Sequence, residues 1–326
     1  MLLGRKTIFV TGACGFIGTH LCEALLKRGD LVVGLDNFDD YYDPAIKRRN
    51  QSILKQYPGF QLHEGDLREP GRVEKILDQT AFDVVVHLAA RAGVRPSIKN
   101  PLLYYDVNIN ATVRLLEAMK NRGLKKLVFA SSSSVYGNSQ NIPFSEDHRV
   151  DAPVSPYAAT KKAGEELCYT YHHLYDFDVY ALRFFTVYGP RQRPEMAISL
   201  FARKIATQTP VLFYGDGTTR RDYTHISDIL AGVVKAIDRV RGFEICNIGG
   251  SATISLGDLV TEIEGIVGKK AILDRQPFQP GEVFQTYADT TRARSLLDYS
   301  PQMKIQDGLR DYWNWLKDHP EELDRP

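Results

Sequence analysis

Thr7-Ile-Phe-Val-Thr11-Gly12-Ala-Cys-Gly15-Phe16-Ile17-Gly18 is the stretch that decides the fold. A short β-rich run passes at once into glycines spaced G-x-x-G-x-x-G. A helical pattern, His20-Leu-Cys-Glu-Ala-Leu-Leu-Lys27, follows and stops at Gly29. A second apolar run, Leu31-Val-Val-Gly-Leu35, ends in Asp36-Asn37. This is strand, glycine-rich turn, helix, strand. Gly12 lets the turn be tight, Gly15 lets a pyrophosphate approach the backbone, and Gly18 lets the helix pack close on the strand. The helix N-terminus, at Phe16 and Ile17, then faces the phosphates. An acid about 20 residues further on belongs on an adenosine ribose, and Asp36 occupies that place. Its carboxylate repels a 2′-phosphate, so the expected cofactor is NAD rather than NADP.

The alternation continues. Residues 37–58 read as a loop and a short helix, with Lys47-Arg-Arg49 as a solvated face. Phe60 to Asp66-Leu67 reads as a third strand; Asp66 is placed either to meet an adenine amino group or to cap the next helix. Asp83-Val-Val-Val-His-Leu88-Ala89-Ala90 is a continuous apolar run, as a strand buried on both faces requires. Its small end lets a flat cofactor lie against the backbone, and His87 within it reads as a core histidine. The loop Ala92-Gly-Val-Arg95 falls at the carboxyl edge of the sheet, where open α/β sheets bind ligands. Arg95 there is a candidate for an anionic substrate or a plain surface arginine. Tyr104 to Met119 reads as one long amphipathic helix. Lys126-Leu-Val-Phe-Ala130 is the next buried strand, running into Ser131-Ser-Ser-Ser134. Val179 to Phe185 is another, leading to Thr186. Strand–helix alternation of this kind predicts an α/β fold, a doubly wound parallel sheet over most of the first 185 residues.

Tyr157-Ala-Ala-Thr-Lys161 follows a helix start at Ser155-Pro156. Residues four apart share a helix face. A lysine ammonium one turn from a tyrosine favours the phenolate and lowers its pKa, which makes the pair a candidate acid or base for a carbinol proton.

Composition excludes several classes. The chain of 326 residues is 43% apolar and 25% charged, with a formal net charge of +1. No pull toward nucleic acid or membrane is implied, and no apolar run reaches the roughly 18 residues a bilayer requires. Met1-Leu-Leu-Gly runs straight into the first strand, which leaves no room for a signal peptide. Cys14, Cys22, Cys168 and Cys246 are scattered, so neither disulfides nor a metal site are expected, and the compartment reads as the reducing cytoplasm.

The set Gly12-x-x-Gly15-x-x-Gly18, Asp36, Asp66-Leu67, Ser131–Ser134 and Tyr157-x-x-x-Lys161, in that order, resembles the extended short-chain dehydrogenase/reductase superfamily along essentially the whole chain. Asp36-Asn-Phe-Asp-Asp-Tyr-Tyr42, Ala92-Gly-Val-Arg95, Ser131-Ser-Ser-Ser-Val-Tyr-Gly137, Tyr157-Ala-Ala-Thr-Lys-Lys162 and Arg183-Phe-Phe-Thr-Val-Tyr-Gly-Pro190 are similar to the nucleotide-sugar 4-epimerases, those acting on UDP-glucuronate above all. The resemblance implies a Rossmann domain at 1–186, with 226–248 returning to it. A smaller α/β nucleotide-sugar domain is implied at 187–225 and 249–326.

It also implies a chemistry. A retained NAD accepts hydride from C4 of a UDP-sugar while Tyr157 takes the hydroxyl proton. The 4-keto sugar turns over and is reduced on its other face. Lys161 holds the nicotinamide ribose and lowers the Tyr157 pKa; Ser132 shares the proton network. Dehydratases of this superfamily carry an Asp-Glu pair before the Val-Tyr-Gly element, and its decarboxylases commonly a Glu. This chain has Ser133-Ser134, which favours simple epimerisation. With a C5 carboxylate, the 4-keto intermediate is a β-keto acid prone to lose CO₂. Hydroxyls of Ser133, Ser134 and Thr186 are expected to hold that carboxylate out of alignment. Arg193, Arg221 and Glu282 match residues that hold UDP, although Glu282 stands where Asp is frequent. The helices at 104–119 and 157–171 match those of a homodimer interface. The alternatives are a UDP-glucose or UDP-N-acetylglucosamine 4-epimerase, a UDP-glucuronate decarboxylase, and a non-catalytic NAD-sensing protein.

Overall fold

The computed structural model describes residues 4–278 and 283–323. Its first part runs β1 (Thr7–Thr11), α1 (Phe16–Arg28), β2 (Leu31–Asp36), α2 (Pro44–Leu54), β3 (Phe60–Glu64), α3 (Arg72–Gln79) and β4 (Val84–His87). Then come α4 (Val94–Lys99), α5 (Pro101–Tyr105), α6 (Ala111–Lys120), β5 (Lys126–Ser132), α7 (Pro156–Tyr175) and β6 (Asp178–Phe184). The later part contains β7 (Thr186–Tyr188), α8 (Ala197–Ala206), β8 (Val211–Tyr214), β9 (Arg220–Arg221), β10 (Tyr223–His225), α9 (Ile226–Arg239) and β11 (Phe243–Ile248). It ends with β12 (Ile254–Ser255), α10 (Leu256–Val267), β13 (Leu273–Gln276), α11 (Thr291–Leu297) and α12 (Ile305–Asp318).

Seven strands form one sheet in the order β11-β6-β5-β4-β1-β2-β3, every pair parallel. The order reverses between β1 and β4, the switch point at which such sheets open a crevice. Val84, Val85 and Val86 are essentially inaccessible, because helices cover both faces. One face packs Leu21 and Leu25 of α1 with Ile229 and Val233 of α9 and Ala293 and Leu297 of α11. The other packs Val73, Leu115, Leu116 and Cys168 from α3, α6 and α7. A third core, away from the sheet, joins Ile198, Phe201, Phe213, Leu259, Ile263, Leu309 and Tyr312.

The expected long helix at 104–119 is interrupted. A π turn at Asp106–Asn110 separates α5 from α6. The wide turn carries Asn108 to the Arg91 backbone: Oδ1 accepts from Arg91 N at 2.7 Å, and Nδ2 donates to Arg91 O at 3.0 Å and to Thr160 Oγ1 at 3.0 Å. Among the described residues, no helix is long and apolar enough to cross a membrane.

Candidate active site

A cleft of about 750 Å³ opens at the switch point, and every described residue named from the sequence as a catalytic, cofactor or substrate candidate lines it. Glu282 lies outside the described residues. At the mouth of β1, Gly12 takes a left-handed φ of 73°, and a Cβ there would lie 2.9 Å from Ala89 N. A Cβ on Gly18 would come within 2.0 Å of the Gly12 carbonyl. The glycines therefore bring α1, β1 and β4 together with no space for side chains, and Gly15, Phe16 and Ile17 present the start of α1 to the cleft. A pyrophosphate fits that cradle, as a group recognised by amide donors and a helix terminus.

Asp36 ends β2 almost fully buried. Its Oδ2 accepts from Cys14 N at 3.0 Å, and its Oδ1 from Phe38 N at 2.9 Å and Lys47 Nζ at 3.0 Å. The last contact corrects one expectation. Lys47 is not on a solvated face; only Arg48 is, paired with Glu64. Lys47 lines the cleft and offsets the charge that was to repel a 2′-phosphate, so Asp36 alone is a weaker argument for NAD than its position suggested. Asp66 lies beyond the end of β3 and caps no helix, since α3 begins at Arg72 with Gly71 in the cap position. It bonds Asn37 Nδ2 at 2.8 Å and Arg68 through both oxygens. Burial pulls its pKa up, but these bonds win and hold it near 2. Leu67, Leu88, Ala89 and Ala90 complete this wall.

Tyr157 and Lys161 sit on the first turns of α7, whose Ser155 hydroxyl accepts from Ala158 N at 3.1 Å. The Ser132 hydroxyl accepts from Ser134 N at 3.2 Å and lies near enough to the Tyr157 hydroxyl to lower its pKa. Here too a reading is corrected. Burial raises the Tyr157 pKa, and the groups opposing that rise are Ser132 and the positive Arg193, not Lys161. Lys161 points instead to the strand end, donating to Ala130 O at 2.7 Å. Burial brings its own pKa down to about 8, against the pull of Cys168 and Glu165. His87 is a core histidine as read, between Thr11 Oγ1 at 2.7 Å and Thr112 Oγ1 at 3.0 Å.

Ser133, Ser134 and Thr186 line the same cleft as Tyr157. The Ser134 Oγ is buried with no hydrogen-bond partner among the described residues, a donor that a ligand oxygen would satisfy. Arg95 stacks over Tyr214, 4.5 Å from the ring centre. Arg221 donates to the carbonyls of Arg220 and Phe284 and pairs with no carboxylate among the described residues. Burial lowers its pKa, as does the charge of Arg95. An anion beside Arg221 would relieve it. Arg193 pairs with Glu195 at 3.0 Å and lies over the Tyr41 ring, 5.7 Å from its centre.

Tyr41, Asn108 and the Glu165–Arg183 pair were not legible as site residues. Tyr41 belongs to an irregular loop, Asn108 depends on the π turn, and Glu165 looked like one more polar position on an amphipathic helix.

A family model described as GDP-mannose 4,6 dehydratase matches residues 9–312. The chain belongs to the extended short-chain dehydrogenase/reductases. Among these, the UDP-glucuronate 4-epimerase of Thermodesulfobacterium geofontis is 44% identical over 313 residues, 96% of each chain. UDP-glucuronate 4-epimerase 3 of Arabidopsis thaliana is 42% identical, over 95% of this chain and 76% of the plant protein. The structure of UDP-glucuronic acid 4-epimerase from Bacillus cereus, in complex with UDP-glucuronic acid and NAD, superposes with a TM-score of 0.91 at 41% identity, covering 96% of this chain and 99% of that one. The seven-stranded sheet is thus the Rossmann sheet of this family of reductases.

Proposed function

We propose that this extended short-chain dehydrogenase/reductase is an NAD-dependent isomerase that interconverts UDP-glucuronate and UDP-galacturonate at C4. The observation that carries the reading is the presence, in one cleft, of a proton-handling set, Ser132 and Tyr157, and of the hydroxyls of Ser133, Ser134 and Thr186, with no carboxylic acid in that run. The 44% identical relative supports the same substrate. The matching family model is named for a dehydratase, but water loss needs an acid and a base beside the sugar, and Ser133 and Ser134 supply neither.

Bound NAD supplies the hydride acceptor and donor for C4. The protein supplies the proton chemistry and the positions. Tyr157 Oη takes the proton of the C4 hydroxyl and later returns one. Ser132 donates to the developing phenolate, and the Arg193 charge favours it. Lys161, fixed on Ala130 O, presents an ammonium to the cofactor ribose. Gly12, Gly15 and the start of α1 bind the pyrophosphate; Asp36 and Asn37 meet the adenosine end. Ser133, Ser134 and Thr186 grip the sugar carboxylate and hold its C–C bond out of line with the 4-ketone. Arg95, Arg193 and Arg221 answer the diphosphate and uridine end, since guanidinium pairs bidentately with phosphate.

We further propose the domain division read from the sequence, 1–186 with 226–248 for the cofactor and 187–225 with 249–326 for the nucleotide sugar, although Ala293 and Leu297 return to pack on the sheet. Exposed Leu102 and Tyr105 on α5 and Leu174 on α7 support a homodimer through these helices. Four buried, unpaired cysteines support a cytoplasmic setting.

The test is product analysis of the purified protein with UDP-glucuronate and no added NAD. UDP-galacturonate without CO₂ is expected. Release of CO₂ with a UDP-pentose, or turnover of UDP-glucose alone, would overturn the substrate reading.

A further inference from the structure

Glu165 lies four residues after Lys161 and eight after Tyr157, so the three form one stripe along α7. That stripe meets the last three residues of β5. Lys161 Nζ donates to Ala130 O at 2.7 Å. Glu165 Oε1 accepts from Ser131 Oγ at 2.6 Å. Ser132 and Tyr157 line the cleft together, and Ser132 lowers the Tyr157 pKa. Glu165 is also clamped from the next strand. Arg183 Nε and Nη2 donate to its two oxygens, each at 2.8 Å, and Ser131 and Arg183 are register partners in the β5–β6 pair. Arg183 Nη1 donates to Tyr136 Oη at 2.9 Å, and Tyr136 to Asn247 Oδ1 at 2.8 Å. The clamp thus joins α7, β5, β6, the turn after β5, and β11.

Glu165 and Arg183 are both 1% exposed. A pair buried that deeply loses hydration that its mutual attraction only partly restores, and apolar residues of similar volume frequently hold a fold as well or better. Stability is therefore a poor account of it. Direction is a better one: two parallel hydrogen bonds and the Ser131 contact fix how α7 is rotated and how far it slides along β5.

We propose that Glu165, gripped by Arg183 and Ser131, is a positioning residue that sets where Tyr157 and Lys161 stand relative to Ser132. The inference rests on the reading of those three residues as the proton-handling set. Glu165 has a second influence. Lys161 faces Glu165 and Cys168 on its own helix and His87 from β4, and the Glu165 charge holds the ammonium pKa up.

Four variants test it: Tyr157→Phe, Ser131→Ala, Glu165→Gln, and the apolar pair Glu165→Leu/Arg183→Met. For Ser131→Ala and for the apolar pair, kcat falls roughly 10- to 100-fold with KM little changed, the scale of a reacting group misplaced by up to an ångström. The apolar pair does so while keeping the wild-type Tm. In Glu165→Gln the alkaline limb of the kcat profile moves to lower pH, because Lys161 loses one of the groups that oppose the effect of burial on its pKa. Wild-type kcat in the apolar pair at wild-type Tm would overturn the inference, since a merely structural pair is replaceable. Should the apolar pair fail to fold, Ser131→Ala decides: wild-type kcat with an unmoved pH profile overturns it. If Tyr157→Phe keeps full turnover, the reading of the site falls, and the inference with it; if Tyr157→Phe is inactive, failure of the other variants is failure of the positioning alone.

Discussion

Tyr157 starts as a weak acid and burial weakens it further, so its work as a base depends on Ser132 and Arg193. Replacing it by Phe should lower kcat by roughly 10²–10⁴, the usual worth of a positioned acid–base group, while calorimetry still detects UDP-sugar binding. A Tyr157→Phe enzyme with near-normal kcat would assign the proton elsewhere. Lys161 gives a pH signature. Burial lowers its pKa to about 8, so its ammonium is intact below that value and is lost as pH rises through it. We expect kcat to be level toward neutrality and to fall above about pH 8; a profile flat to pH 10 would contradict this. The Tyr-x-x-x-Lys spacing was legible because it needs only helix periodicity. The electrostatics were not: Lys161 is turned to Ala130 O, and the cation acting on Tyr157 is a residue 36 positions later in the chain. Lys47 was misjudged for the same reason, since nothing in a basic triplet reveals that one member folds back on Asp36.

The elements that shape the cleft carry their own predictions. Gly18→Ala would drive a methyl into the Gly12 carbonyl, 2.0 Å away. Overpacking of this kind costs about 1–3 kcal/mol, and here the displaced helix start should also cost NAD retention, measured as cofactor bound to the purified protein. Unchanged stability and cofactor content would mean the turn yields easily. Asn108→Ala would remove the bonds that tie the π turn to Arg91 and Thr160, a net loss of about 0.5–1.5 kcal/mol for each, seen as a lower midpoint in urea unfolding. The strand–turn–helix and the buried strands were legible because side-chain period and glycine placement are local. The π turn was not: a helix interrupted by one wide turn keeps its amphipathic pattern, and only the Arg91 backbone opposite Asn108 shows why the turn is there.

At the scale of the whole molecule, the sheet order places the ends of β1, β2, β4, β5 and β6 around one crevice, and the segments after β6 close it from the other side. Exposed Leu102, at 78% accessibility the most open of the large apolar residues among those described, leads the face proposed for dimerisation. Leu102→Glu with Tyr105→Glu should shift sedimentation from dimer toward monomer and leave the far-UV circular dichroism unchanged; an unaltered dimer would place the interface elsewhere. A parallel doubly wound sheet could be read from alternating patterns, whereas the third core under α8, α10 and α12 could not, because its strands are short and its contacts long-range. The central claim, that one site removes and returns the same hydrogen at C4, is tested most directly with UDP-glucuronate deuterated at C4. The account predicts UDP-galacturonate that retains deuterium at C4 with no CO₂ released; deuterium lost to solvent, or a UDP-pentose in its place, would contradict it.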